Sequence, residues 1–468
     1  MSGFSSLNVA ARALAAQQRA IDVTGQNVAN ANTRGYTRQR VEMQSLASVS
    51  AYGLQSREDS TGNGVSAEKV IRVRDAFLEL RAQQEVGNAA RAAATAATYD
   101  QLETSSGEPG STGVQSLLSA VSTAWSQLST RPTDTSSRIA VLSSADALAK
   151  GLRTVSASVD RQWTNTLGAT TDVVAEANAT LAQIADLNKS IRDAQLTGNP
   201  ANELQDQRDV LVATLAQSLG ATSVDTTDGM VDVVVDGTSL VSGTGASKLA
   251  LRGATDPTAA TTDPVRLAVV PGGSVLRVGG GVAGRIDALN VVLPGYQAQL
   301  DTVADLVQDV NDVLATGYDQ AGSTPGAPLF AGTSARDIAV VMTDPARLAV
   351  AANPPLVVGT RTDPSADGAV ADRIAQLGKT PTGPDATYRQ MITGLGIASR
   401  SAASASATAS TVLGQVDADR LSVSGVSLDE EMTNLVVFKQ SYAAAARVVT
   451  ALDEMLDVLI NRTGLVGR

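Results

Sequence analysis

The 468 residues include neither histidine nor cysteine. No imidazole is available as a general base or metal ligand, and no thiol can serve as a nucleophile, a disulfide half or an ordinary zinc ligand. Most enzyme mechanisms therefore lose their usual parts, while carboxylate chemistry of the glycosidase kind stays open. Aromatic residues make up 3% of the chain, so apolar contacts come mainly from Ala, Leu, Val and Ile, a composition that suits slim helices in close approach. Basic residues are outnumbered 36 to 47, giving a net charge of -11, which leaves no phosphate-neutralising surface and predicts no nucleic-acid partner. No uninterrupted apolar run approaches the ~20 residues needed to cross a bilayer, so the chain is expected to be soluble, with no membrane partner. Residues 1–23 mix Asn8, Arg12, Gln17, Gln18 and Arg19 among small apolar residues, unlike a cleaved secretory signal. The lack of cysteine fits the cytosol, and it fits equally well a chain exported as an unfolded thread.

What is present is helical periodicity. From Leu7 an apolar residue returns every seventh position, at Leu14, Ile21 and Val28, which predicts one long amphipathic helix. It should end between 30 and 35, where Asn30, Asn32 and Gly35 most easily leave helical geometry. Residues 75–103 contain almost no breaker except Gly87, and Glu108-Pro109-Gly110 follows as a loop. Further helical stretches run from Val114 towards Pro132, from Ile139 to Leu148 and over 171–196. Past Gly220 the period changes. Asp228-Gly229 and Asp236-Gly237 bracket a β-branched run, and Pro271-Gly272-Gly273 separates 266–270 from 275–278, both hairpin signatures. The helical pattern returns over 285–314, so the β region reads as an insertion between helices. Residues 317–332 and 353–384 predict loops around short strands such as 338–342.

The strongest periodic signal is at the C-terminus, where Leu435, Phe438, Tyr442, Ala445, Val449, Leu452, Leu456 and Leu459 alternate spacings of three and four. With heptads at both ends of the chain, the terminal helices are expected to pair with each other. Burying these seam residues contributes at most about 1.5–2 kcal/mol each. Ordering ~30 backbone residues costs about 1–2 kcal/mol apiece, only partly offset by hydrogen bonds. The terminal helices should therefore become fully ordered only under cover of neighbouring subunits. Ser427 and Glu430 form a capping-box pair, and Asp429, Glu430 and Glu431 suit the positive end of the helix dipole better than a metal, since three consecutive acids point in different directions. Asn27 and Asn30 share a helix face, either bonding across a subunit boundary or marking a helix terminus. Gly35 is expected to supply a positive-φ stop that turns Tyr36 back onto the helix. Residues 279–284 satisfy a GxGxxG spacing, but Asp301, the acid some 20 residues later, lies in a helical pattern, which argues against a dinucleotide site. Ser66 and Lys69 match SxxK without its companion motifs. No cofactor and no metal are expected.

These residues carry a resemblance. Residues 27–38, Asn-Val-Ala-Asn-Ala-Asn-Thr-Arg-Gly-Tyr-Thr-Arg, resemble the signature of bacterial flagellar rod, hook and hook-associated proteins. The stretch from Ser424 through Gly425, Asp429, Glu430 and Glu431, followed by Asn434-Leu435, Phe438, Gln440, Tyr442 and Ala444, is similar to the hook-associated branch of that family. Gln101-Leu102-Glu103, Asp206-Gln207-Arg208-Asp209 with Leu211, and Leu293-Pro294 with Leu300-Asp301 extend the likeness inward. One departure is Leu314, where the family often has histidine three residues after the asparagine matching Asn311. The resemblance implies a structural, non-enzymatic subunit of the hook–filament junction that forms a ring or helical layer with itself and contacts hook protein and a second junction protein on the filament side. It implies export without a cleaved signal, aided by a chaperone on the C-terminal helix, and a final place outside the cell. Another axial protein of the hook or distal rod is the nearest alternative, and a secreted carboxylate-based hydrolase a more distant one. The expected fold is mainly α with a β insertion: 1–60 with 420–468 as a paired terminal coiled coil; 61–219 with 285–316 and 385–419 as an elongated helical domain; 220–284 as the β-rich insertion; and 317–384 as loop and β structure of unassigned fold.

Overall fold

The computed structural model describes residues 3–46, 63–358 and 361–458. It is mainly α-helical with small antiparallel sheets. Helix α1 (Gly3–Ala29) leads into a hairpin of β1 (Gln39–Ser45) and β2 (Val65–Arg72). Then follow α2 (Ala76–Ser106), α3 (Val114–Thr130), α4 (Thr135–Leu196) and α5 (Asn202–Leu219). Asp75 caps α2 by accepting from the Phe77 and Leu78 amides, and Asp134 caps α4 at Ser137. Pro132 sits in the break between α3 and α4, as its missing N–H requires.

The β region begins directly after Gly220. Strands β3 (Thr222–Asp225), β4 (Val231–Val235), β5 (Thr238–Ser242) and β6 (Gly245–Ala246) form one sheet; β7 (Lys248–Arg252), β8 (Arg266–Val270) and β9 (Val275–Leu276) form another. Asp228 and Asp236 take positive φ beside their glycines, the backbone geometry that makes Asp-Gly a turn signal. Next come α6 (Gly280–Asp287), a π-turn at Ala288–Val292, and α7 (Leu293–Ala315). Short strand pairs precede α8 (Ala369–Leu377), which lies within the stretch expected to be loop. The chain ends with α9 (Pro384–Ser424) and α10 (Leu428–Asp457), the latter packed along α1.

One helix organises both cores. At 62 residues, α4 is about 93 Å long at 1.5 Å per residue. The periodicity divides this region into separate stretches, but nothing between them breaks a helix, since only Gly151 and Gly168 interrupt it and neither takes a positive φ. Its first half packs Leu148, Leu152 and Trp163 against α3 and α7, on which α8 and the start of α9 close the same core. Its second half packs Leu181 and Ile184 against α5 and the β sheets. Trp163 donates its indole N–H to Leu289 O at 2.9 Å, within the π-turn just before Pro294. Buried Arg138 donates to the carbonyls of Pro132, Pro345 and Leu348, fixing the loop before α8 on the start of α4. Burial pushes its pKa down to about 10, against the pull of Asp319.

Glycine sets the contacts between α5, α6 and α2. Gly220 ends α5 at φ +69, and a Cβ there would sit 2.6 Å from Gly279 Cα; one on Gly284 would sit 2.7 Å from Arg91 O. Gly237 has φ +73 with nothing within 4 Å of a Cβ. Gly237→Ala is expected to lose only the left-handed conformational preference, about 1–2 kcal/mol. Gly220→Ala should lose distinctly more, because backbone atoms must also move apart. Urea unfolding of the two variants checks this, and equal losses would count against the close-packing role.

Candidate functional site

The N- and C-terminal motifs meet at one buried asparagine. Asn27 lies near the end of α1 with 1% of its surface exposed. Its Nδ2 donates to Gln39 O at 2.9 Å and to Glu431 Oε2 at 3.1 Å. Its Oδ1 accepts from the Tyr36 hydroxyl at 2.8 Å and the Gln39 amide at 2.9 Å. Two donors and two acceptor positions are thus all used within one chain, leaving none for a neighbouring subunit. Asn30, one turn on, donates to Gln26 O and accepts from Thr33 Oγ1, a local helix-end arrangement, so the shared face does not give the two asparagines a common role. Asn32 is exposed in the following turn. Gly35 takes φ +83, and Tyr36 folds back onto the helix. Burial, then the carboxylates of Asp206, Glu203 and Glu431, push the Tyr36 hydroxyl above its ordinary pKa, so it remains a donor.

The acids at the start of α10 divide their work. Glu431, 2% exposed, accepts from Arg38 Nε at 2.8 Å as well as from Asn27. Glu430 pairs with Arg38 Nη1 at 2.8 Å but is itself exposed, so that pair alone is worth little. Ser427 caps the helix through the Glu430 amide. The expected capping box is only half made, because the Glu430 side chain serves Arg38 instead. Asp429 is exposed, and Gly425 is extended, its missing Cβ leaving room for the Leu421 carbonyl.

A second polar layer joins this centre to α5. Asp206 accepts from the Thr37 amide at 3.2 Å and from Arg72 at 2.9 Å, and Asp209 takes the same guanidinium at 2.7 Å. Burial alone would lower the Arg72 pKa, but Asp209 and Asp206 more than compensate and raise it. Buried Asn202 donates to Gln39 Oε1 and Val70 O. Sequence reasoning missed the β1–β2 hairpin, Arg38 and Arg72. Arg38 closes the 27–38 signature but was given no role, and alternating Val41, Met43 and Val70 gave the only signal for the hairpin.

On α1 the deepest residues are Ala10, Ala16, Ala20, Val23, Thr24 and Asn27, so the buried face is displaced from the Leu7, Leu14, Ile21 and Val28 heptad, which is half-buried. An alanine-rich helix carries apolar side chains on several faces, and the smallest fit the closest approach. On α10, Leu435, Phe438, Ala445, Val449, Leu452 and Leu456 are half-buried, Tyr442 is exposed, and Leu459 lies outside the described residues. One position earlier in each case runs a second alternation of four and three: Val437, Ser441, Ala444, Val448, Ala451, Met455 and, at the cap, Val458. It lies about 100° around the helix. Its large members, Val437, Val448, Met455 and Val458, are 46–54% exposed, and Met432 and Val436 add further apolar surface. Glu431 is the one buried residue of α10.

The other motifs carry no chemistry in this arrangement. Ser66 and Lys69 both lie on β2, paired with Gln44 and Glu42 in an antiparallel hairpin, and no companion motif accompanies them. The strand before Gly279 belongs to an antiparallel sheet, whereas a dinucleotide fold needs parallel strands. Asn311 uses its amide on the backbone of Leu329 and Phe330, and Leu314 is fully buried in the core. Among the described residues no acidic cluster suited to a metal occurs, and no helix is long and apolar enough to cross a membrane.

Family models match at both ends and in the middle: flagella basal body rod protein over 7–37, flagellar hook-associated protein FlgK helical domain over 99–330, and flagellar basal body rod FlgEFG protein C-terminal over 418–462. All three are models of flagellar proteins, and the chain is similar along its length to flagellar hook-associated protein 1. It is 29% identical to flagellar hook-associated protein 1 of Bacillus subtilis over the whole of both chains. It is 26% identical to that of Escherichia coli, over 98% of this chain and 99% of the relative. The fold is similar to that of the flagellar hook junction protein FlgK from Burkholderia pseudomallei, with a TM-score of 0.63 at 16% identity, covering 74% of this chain and all of that one.

The Asn27 centre sets a direct expectation. Asn27→Asp would set a second carboxylate against Glu431 and leave the Gln39 carbonyl without its donor. The cost should be about 2–4 kcal/mol, read as lost exchange protection of the Gln39 amide. Adding Glu431→Gln should restore a good part of it. A single variant as well protected as the parent would contradict the arrangement.

Proposed function

We propose that this chain is a structural component of the flagellar hook–filament junction that acts by helix packing, not catalysis, and that α10 is its principal assembly surface. The observation that carries this reading is the state of α10: thirty residues, two apolar seams, one helix to lie on, and a lone carboxylate as its buried side chain. A helix apolar on more than one face is stable only when more than one face is covered. Each exposed valine or methionine covered by a neighbour contributes about 1 kcal/mol, so the second seam supplies what the intramolecular pair lacks. Other copies of the chain in a ring or helical layer, with the α1 heptad of Leu7, Leu14, Ile21 and Val28 at the edge of the contact, are the partners this surface fits. Similarity to flagellar hook-associated protein 1 supports hook protein and a second junction protein as the flanking layers. It also supports passage to the cell exterior without a cleaved signal, with an export chaperone covering α10 beforehand.

The test separates the two seams. Val448→Asp and Met455→Asp, on the open side, should leave the melting of the isolated chain unchanged, since the new carboxylates are solvated there, yet block incorporation, because a neighbour would bury them unpaired. Val449→Asp or Leu452→Asp should also block incorporation and additionally loosen α10 from α1, with the central cores melting as before. Normal filament growth in cells carrying Val448→Asp with Met455→Asp would exclude the second seam as a contact. Immunogold labelling along the hook, and not at its distal end, would favour a hook or rod subunit instead.

A further inference from the structure

Helices α9 and α10 meet at a corner of three extended residues, Gly425, Val426 and Ser427, and one residue from the other end of the chain spans it. The Arg38 amide donates to Ser424 O, the last carbonyl of α9, at 3.0 Å. Its guanidinium holds Glu431 and Glu430, in the first turn of α10, each at 2.8 Å. Its own carbonyl accepts from the Val73 amide at 2.7 Å, in the segment that leads from β2 to α2. Arg38 therefore touches both places where the backbone passes between the terminal helices and the helical body. Its position is fixed in turn: the preceding amide, of Thr37, is held by Asp206, and the following residue, Gln39, by Asn27 and Asn202.

Nothing else among the described contacts bridges the corner in this way. Asn27 ties Glu431 to α1 and the hairpin but does not reach α9. The side chains next to Gly425 bond only within one helix each, Ser424 Oγ to Arg420 O in α9 and Ser427 Oγ from the Glu430 amide in α10, and Leu421, Val423 and Leu428 around the turn are exposed. Between the 30–36 turn and the α4–α5 pair lies a cleft of about 720 Å³ lined by Tyr36, Asp186, Leu187, Val210 and Leu211 among others.

We infer that Arg38 is a positioning residue that sets the angle of the α9–α10 corner and so aims α10 at its neighbours. Extended linker residues absorb large changes of dihedral angle when nothing restrains them, and here the restraint is one guanidinium on two adjacent carboxylates. The inference concerns the aim of α10 and holds whichever neighbour covers it.

A chain without cysteine permits clean paired labelling. Nitroxides at Ser404→Cys on α9 and Thr433→Cys near the start of α10, both exposed positions, report the corner by pulsed electron spin resonance. The full chain with Arg38 intact should give a narrow distance distribution. Arg38→Ala should broaden it severalfold, while the melting of the two cores stays where it was. Arg38→Lys, which keeps the charge and the backbone bonds, should fall between them. An Arg38→Ala distribution as narrow as the parent's would overturn the assignment, and so would a parent distribution already as broad as that of Arg38→Ala. A melting loss equal to that of a core substitution, with no change in width, would show a merely structural role.

Discussion

The whole arrangement turns on a shortage of cover for the last helix. Helix α4 buries side chains from end to end and stitches two cores together. Helix α10 buries a single carboxylate. The hydrophobic effect is proportional to area removed from water, and the ordering of a backbone costs the same per residue whether or not that area is found. A helix with half its apolar surface in water is consequently an unfinished structure, and a second seam one residue out of step with the first states where the remainder of the area lies. Assembly, in this view, is the completion of folding for one element and leaves the rest of the molecule as it was.

Against that incomplete packing stands a polar centre that is fully satisfied. Asn27 has no hydrogen-bonding capacity left, Glu431 is shared between an amide and a guanidinium, and Asp206 links the centre to the body through Arg72. Buried networks of this kind contribute little net stability when complete and cost a great deal when broken. Their effect is to allow one geometry only. The two ends of the chain are thus joined where specificity matters, at the base of the terminal pair, and left apolar and open where neighbours must be accepted.

How much of this was legible in the residues depends on how local the cause is. Asp75 as the start of α2, the Asp-Gly turns around β4 and the Pro-Gly-Gly turn between β8 and β9 all follow from interactions within a few residues, and each stands where the pattern put it. The β1–β2 hairpin was not seen because polar residues alternate with only a few apolar ones and its faces are set by α1 and α5. Helix α8 is short and sits among Pro, Gly and Asp. The buried face of α1 was misplaced because alanine on several faces gives periodicity no preference, and the choice is made by what can approach closest. Least legible was the pairing of Asn27 with Glu431, 404 positions apart. All of Asn27, Glu431 and Arg38 stood in the terminal motifs, yet nothing local says that they touch.

Amide hydrogen exchange along α10, compared between the dilute isolated chain and the assembled junction, addresses the shortage of cover most directly. Residues 436–457 should exchange quickly in the isolated chain while α4 is strongly protected in the same sample, and should become protected on assembly. Strong protection of that stretch in the isolated chain would mean that the helix is complete by itself, and the account of assembly as its completion would fail.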